Sequence, residues 1–434
     1  MGGKGPADDR CLSALHERDG PLRCCGPTLT TDRTGIVTTT VRQISGAAGR
    51  NGADVRSDCH VMVSLTTRGG IRIGLKSKVE ALYGASIRGQ VIGMLEHFGI
   101  RNAEVTVTDQ GAVPFVIAAR LETALLRCGI ERSEQTAEGI SKKVPVSKKE
   151  RFRRTRLYLP GNEPHYFLNA GLHKPDGIIL DLEDSVAPSE KEAARMLVRN
   201  ALLNVDFGAA ERMVRINQLP LGIDDLQAVI PAGVQTILVP KCESADQLRA
   251  IDAEIDRICQ QYSMKRTVLL LPIIESALGV VRAFEIAAAS PWNCALAIGL
   301  EDYTADIGAE RTAEGRESLF ARSTVINAAK AAGIQALDSV YSNVSDDAGL
   351  RASVTEAKAL GFEGKGCIHP RQIAIVHEAL APTEKEIEYA RKVVDAFHEA
   401  KKNGSGVVAL GSKMIDAPVV KRAERILAQV NGRR

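Results

Sequence analysis

No apolar stretch in this sequence approaches the roughly 20 residues that a bilayer-spanning helix needs, and "LLLPII" is a strand-sized run. The opening "MGGKGPADDRCLSALHERDG" lacks an apolar h-region, so no secretory signal is expected. An excess of one charge is missing too. Lys and Arg number 56 against 53 Asp and Glu, and the net +3 removes the electrostatic reason to expect nucleic acid or a membrane surface as partner. The nine cysteines are scattered, with only Cys24 and Cys25 adjacent. Without a CxxC pair or a His/Cys ligand spacing, structural zinc is not expected and a reducing cytoplasm is. No GxGxxG turn follows an early strand, so the open dinucleotide-binding sheet lacks its fingerprint.

What is present is enough chain, 434 residues, for one large core and a smaller domain. Residues 1–51 are polar with no apolar period and read as a disordered leader. Residues 52–130 form a compact α+β pattern. "VMVSLTT" and "GIRIGLKS" suggest a hairpin about Gly69-Gly70, and "KVEALYGASIRGQVIGMLEHFG" has helical spacing up to Gly99. "AEVTVTD" and "VPFVIAA" suggest further strands, and "RLETALLRCG" a closing helix. A polar, Lys-rich stretch over 131–150 reads as a linker.

Over 151–381 the pattern turns regular. "RLYLPG", "GIILDLED", "RMVRINQ", "TILVPK", "VLLLPIIES", "CALAIGLED", "QALDSVY" and "GKGCIHP" alternate with helix-compatible stretches. That beat predicts a (β/α)8 TIM barrel, followed over 382–434 by C-terminal helices and a lid. The strands end in chemistry: Asp181, Glu183 and Asp184, then Arg215 and Asn217, Lys241, Glu275, Glu301 and Asp302, Asp338, and His369. Closing the sheet would gather these ends into one ring, with room for a cation among the carboxylates. Oxygen ligands without cysteine favour Mg2+ over zinc. Glu275 and Asp302 suit that ion, or else a pair of salt bridges at the mouth. Arg215 suits a substrate carboxylate or an enolate oxygen, or a strut to Glu183 and Asp184. Lys241 could form a Schiff base, but among so many acids a protonated, structural role fits better. His369, ahead of a proline, suits capping.

The ordered motifs "RRTRLYLPGN", "DGIILDLEDSV", "VRIN", "VPKCES", "PIIESALGV", "IGLEDYTADIG", "LDSVY", "GFEGKGCIHPRQI" and "GSKMIDAPVV" resemble the citrate lyase β-subunit family of the HpcH/HpaI aldolase superfamily. Its members include citryl, citramalyl and malyl thioester lyases. The upstream "VTVTDQGAVPFVIAARLETALLR" resembles the citrate lyase acyl carrier protein, or γ-subunit, so the chain resembles a γ–β fusion. The resemblance implies Mg2+-dependent cleavage of a β-hydroxyacyl thioester, on CoA or a carrier protein, to an acetyl thioester and a keto acid. It implies Glu275 and Asp302 as Mg2+ ligands, with Glu275 also at the substrate. It further implies Arg154 and Arg215 as substrate-binding arginines, and Asp416 as an acid/base on a lid that reaches a neighbouring subunit. A homo-oligomer such as a trimer, and a citrate lyase α-subunit as partner, are implied in the same way. The carrier half departs from its family, because in "GADVRSDCHVMV" Arg56 takes the attachment position and Ser57 follows it. Ser57 then either carries the prosthetic group through a shifted turn or belongs to a vestigial carrier. A pyruvate-type aldolase acting on free keto acids and a non-catalytic scaffold are the competing readings.

Overall fold

The structure is a computed structural model that describes residues 28–31, 37–40, 44–130, 144–402, 408–410 and 413–431. The small unit consists of β1 (Ser45–Gly49), β2 (Cys59–Leu65), β3 (Ile71–Ser77), α1 (Glu80–His97), β4 (Ala103–Asp109) and α2 (Pro114–Arg127). Its sheet runs β1-β2-β4-β3. The expected hairpin does not form, because β4 lies between β2 and β3, antiparallel to the first and parallel to the second. A parallel partner needs a crossover, and α1 supplies it. β1 also lies inside the stretch expected to be a disordered leader, so that boundary moves back to Ser45. A two-stranded antiparallel ribbon, Thr28–Thr31 with Val37–Thr40, precedes it. The rest of the leader lies outside the described residues.

"VPFVIAA", expected to be a strand, is the first half of α2, with Pro114 in the first helical turn where its missing N–H costs nothing. Phe115, Val116 and Ala119 join the barrel's outer core, while Ile117, Leu121, Ala124 and Leu125 join the small unit's core. A helix apolar on both faces has no single stripe to read.

The barrel is closed by β5 (Thr155–Pro160), β6 (Gly177–Asp181), β7 (Glu211–Arg215), β8 (Thr236–Val239), β9 (Leu269–Ile274), β10 (Ala295–Ile298), β11 (Gln335–Asp338) and β12 (Gly364–Cys367). All eight are parallel and hydrogen-bonded in chain order. Alternation sends Ile178, Leu180, Val214 and Ile237 out to the helices, among them α3 (Lys191–Asn204). It turns Ile179, Met213, Leu271, Ile273 and Ala297 into the lumen. The lower end is plugged by Arg153, whose Nε and Nη2 donate to the Glu211 carboxylate at 2.7 and 2.8 Å while both side chains are fully buried. Ser147 also donates to Glu211, so the end of the expected 131–150 linker is part of the barrel floor. Residues 131–143 lie outside the described residues.

Beyond the barrel, α4 (Glu384–Lys402), the hairpin β13 (Val408–Leu410) with β14 (Lys413–Ile415), and α5 (Ala417–Asn431) share a small core of Ala390, Val393, Ile415, Val420 and Ala423. Residues 403–407 and 411–412 lie outside the described residues. No described helix is long and apolar enough to cross a membrane.

Candidate active site

Parallel closure puts every strand's C-terminal end on one rim, and a cavity of about 320 Å3 opens there. The crowded carboxylates of "DLEDS" are resolved by cations. Arg215 Nε and Nη2 each donate to Asp181 at 2.7 Å, and Nη1 stands 3.0 Å from Glu183. The Asp181–Arg215 pairing follows from the strand register, which sets these two residues side by side on β6 and β7. Burial alone would raise the Asp181 carboxyl, but the Arg215 fork outweighs it and holds the acid below the usual range. The guanidinium plane also lies 5.5 Å from the Tyr158 ring centroid. Arg215 is therefore a strut, as one of its two sequence readings had it, and at the same time lines the cavity.

Lys241 sits just past β8 in the left-handed region, φ 46°, which a side-chain-bearing residue rarely adopts. Its Nζ holds it there, donating to Glu183 at 2.8 Å and to both Asp184 oxygens at 3.2 Å. Burial would loosen its proton, but these carboxylates bind it more firmly than in a free lysine, so a Schiff-base role is not supported. The strained backbone turns the Lys241 N–H onto Glu275 Oε1 at 3.2 Å.

Glu275 follows β9 and is 4% exposed. Burial and a hydrogen bond with Asp302 push its carboxyl up to about 8. Asp302 stands on the short helix Leu300–Asp306 that follows β10, with its side chain 43% exposed. The backbone between them is close: a Cβ at Gly299 would fall 2.8 Å from the Glu275 side chain, so only glycine lets the carboxylate lie there. Two carboxylates in contact need a proton or a cation between them. Among the described residues no larger His/Cys/Asp/Glu cluster forms a metal site, and Mg2+ needs only one or two carboxylates beside water and substrate oxygens. The pair fits that ion.

Other expected residues are placed elsewhere. Arg154 precedes β5 at the barrel's lower end, where its Nε and Nη2 donate to Asp176 at 3.1 and 3.0 Å. It is a brace on the face opposite the mouth, and the expectation of a substrate contact is corrected. His369 accepts the Arg371 N–H on Nδ1 at 3.1 Å, the capping role read from its proline. Asp416 does not line the cavity. Its Oδ1 accepts the Val419 N–H at 3.4 Å, at the start of α5. Ser57 lies in the β1–β2 turn at φ 54°, with its N–H on the Gln110 carbonyl at 3.3 Å. The sequence reading passed over Arg156 and Tyr158. Their signal was there: both occupy lumen-facing places in the alternation of "TRLYLP".

Residues 154–370 match the HpcH/HpaI aldolase/citrate lyase family, and residues 318–431 match the C–C bond lyases of the TIM-barrel fold. Residues 49–128 match an ACP family described as malonate decarboxylase delta subunit (MdcD). Citrate lyase subunit beta of Leuconostoc mesenteroides subsp. cremoris is 43% identical over 285 residues, covering 65% of this chain and 94% of that protein. The mitochondrial citramalyl-CoA lyase of Mus musculus is 33% identical over 288 residues, covering 63% and 85%. The crystal structure of CitE from Mycobacterium tuberculosis in complex with magnesium, acetoacetate and coenzyme A superposes with a TM-score of 0.53 at 33% identity, covering 65% of this chain and all of that one.

Proposed function

Because the chain belongs to the HpcH/HpaI aldolase/citrate lyase family, we propose that it is a Mg2+-dependent carbon–carbon lyase. Its substrate is a β-hydroxyacyl thioester of the citryl, citramalyl or malyl type, and its products are an acetyl thioester and a keto acid. The observation that carries this reading is the Glu275–Asp302 contact, two carboxylates in one mouth facing the Arg215 cation. Mg2+ held by this pair would act as a Lewis acid on the substrate's hydroxyl and carboxylate oxygens.

The chain's own groups do the rest. Arg215, fixed by Asp181, offers a preorganised positive charge to the thioester oxygen, on which the electron pair of the breaking C–C bond comes to rest. Lys241 keeps Glu183 and Asp184 neutralised, so that Arg215 is not drawn away from the cavity. A base takes the hydroxyl proton as the new carbonyl forms, and an acid protonates the enolate carbon to give the acetyl group. We assign this proton traffic to Asp416 of a neighbouring copy in a homo-oligomer such as a trimer, since within one chain Asp416 stands outside the cavity. The six described cysteines are all buried thiols, which suits a cytoplasmic enzyme. Docking with a citrate lyase α-subunit belongs to the same reading.

The test is cleavage of citryl-, citramalyl- and malyl-CoA and of the free acids, with Mg2+ and with chelator. Thioester cleavage that requires Mg2+ is expected, and Glu275→Ala should lower kcat/KM by about a thousandfold or more, since metal stabilisation of transition-state charge amounts to several kcal/mol. Cleavage of free acids would point to a pyruvate-type aldolase. Absence of any turnover would point to a scaffold, and unchanged Mg2+ dependence in Glu275→Ala would sink the ligand assignment.

A further inference from the structure

Alternation along β5 sends Leu157 and Leu159 into the outer core and turns Arg156 and Tyr158 into the lumen. Arg156 is 1% exposed, and its surroundings are unusual for a guanidinium. Arg153, Arg195, Arg215 and Arg322 are each held by a carboxylate at 3.2 Å or closer. Among the described residues Arg156 has no ion pair. Its one hydrogen bond runs from Nη2 to the Asp338 backbone carbonyl at 2.9 Å, and its Nε is buried with no partner. The Asp338 carboxylate shares its Oδ2 between Lys365 Nζ at 2.7 Å and Arg322 Nη2 at 3.2 Å, while its Oδ1 is buried without a hydrogen-bond partner and forms no ion pair with Arg156. Three cations thus stand about one acid, and burial pushes the Arg156 proton affinity down accordingly. An unpaired charge in such a place is destabilising, and the cost is offset when an anion arrives.

Arg156 lines the same cavity as Glu275 and Asp302. In the eight-strand ring β5 and β9 are four places apart, so the two groups occupy opposite walls. One wall is acidic and suited to a metal, the other cationic and short of a counter-ion. The candidate substrates differ at one substituent of the hydroxyl-bearing carbon: hydrogen in malyl, methyl in citramalyl, carboxymethyl in citryl thioesters. With the hydroxyl and its adjacent carboxylate directed at the Glu275–Asp302 wall, that substituent is the group that faces across.

We propose that Arg156 is a specificity residue that receives a second carboxylate on the keto-acid half of the substrate, so that the chain takes a citryl-type thioester. This rests on the lyase reading and narrows it. A methyl or hydrogen in the same place leaves the guanidinium dry and unpaired, and a site built around a buried donor rejects ligands lacking the acceptor.

The experiment is calorimetric titration of the full chain, at saturating Mg2+, with oxaloacetate and with pyruvate, for wild type, Arg156→Met and Arg156→Lys. Wild type should bind the dicarboxylate about 10- to 100-fold more tightly, the range of a charge-assisted hydrogen bond. Arg156→Met should bring the two affinities within about threefold while leaving pyruvate binding unchanged, and Arg156→Lys should keep part of the preference. A wild type without the preference, a preference that survives in Arg156→Met, or pyruvate binding lost in step with it would overturn the proposal, the last by making Arg156 a brace. Should Arg156→Met not fold, Arg156→Gln takes its place, keeping a donor for the Asp338 carbonyl without the charge. Wild type that shows the preference but cleaves no thioester would fail the lyase reading and leave the subsite standing. Cleavage without the preference would do the reverse.

Discussion

Asp176 links three parts of the barrel's lower end through one carboxylate. It accepts the Arg154 backbone N–H at 2.9 Å and that residue's guanidinium at 3.0 and 3.1 Å, and lies 3.3 Å from His377 Nε2. Burial by itself would raise this carboxyl. The hydrogen bonds from His377 and Arg154 outweigh it and hold the group at about 2. A folded-state value below the unfolded one means stability that is present above about pH 3.8 and lost as pH falls towards about 2. The side chain is 15% exposed, so screening takes away little, and the shift corresponds to about 2 kcal/mol. Asp176→Asn should therefore cost about 2 kcal/mol in denaturant titrations at pH 7, with the gap to wild type closing between pH 4 and pH 2. A gap independent of pH would mean that Asp176 acts through packing alone.

At the scale of elements, the C-terminal hairpin and α5 pose a question that one chain leaves divided. Asp416 caps α5 through its Oδ1, and it is also the residue that we assign to proton transfer in a neighbouring subunit. Asparagine is as good a cap as aspartate but cannot exchange a proton at neutral pH. Asp416→Asn should therefore melt within about 1 kcal/mol of wild type while its turnover falls at least a hundredfold, the lower range of general acid–base catalysis. Mixing it with Glu275→Ala should restore part of the activity, because some mixed sites would join an intact mouth to an intact lid. No recovery despite demonstrated subunit exchange would confine Asp416 to its own chain.

At the scale of the whole molecule, the small unit is docked on the barrel. α2 buries Phe115, Val116 and Ala119 in the barrel's outer core, Arg199 on α3 donates to Glu122 at 2.8 Å, and Asn200 Nδ2 donates to the Phe115 carbonyl at 3.1 Å. Arg120 grips Asp58 with two hydrogen bonds of 2.9 and 2.8 Å and reaches the Asn162 carbonyl, past the end of β5, at 3.4 Å. The turn that carries Ser57 is thus pinned next to a buried ion pair, and Arg56 occupies the attachment place implied by the carrier resemblance. We expect the intact mass of protein purified from its own host to show no prosthetic arm, with the thioester arriving on free CoA. An added mass mapping to Ser57 would show a live carrier.

Two levels were legible in the sequence for different reasons. The barrel was readable because buried parallel strands are short apolar runs, and the helices between them announce the beat. That Glu275, Asp302 and Arg215 line one cavity was readable because a barrel gathers its strand ends at one rim. Local pattern could not carry the order of strands in the small sheet, since β4 enters between β2 and β3 from beyond α1. Nor could it identify α2, whose two apolar faces belong to different cores. The choice between Arg154 and Arg156 was likewise tertiary. Two residues apart, they lie at opposite ends of a guanidinium's reach, one braced on Asp176 below the barrel and the other inside the lumen without a counter-ion. Composition and periodicity determine the eight short apolar strands of the barrel; only closure of the sheet decides which charges face one another and which is left without a partner.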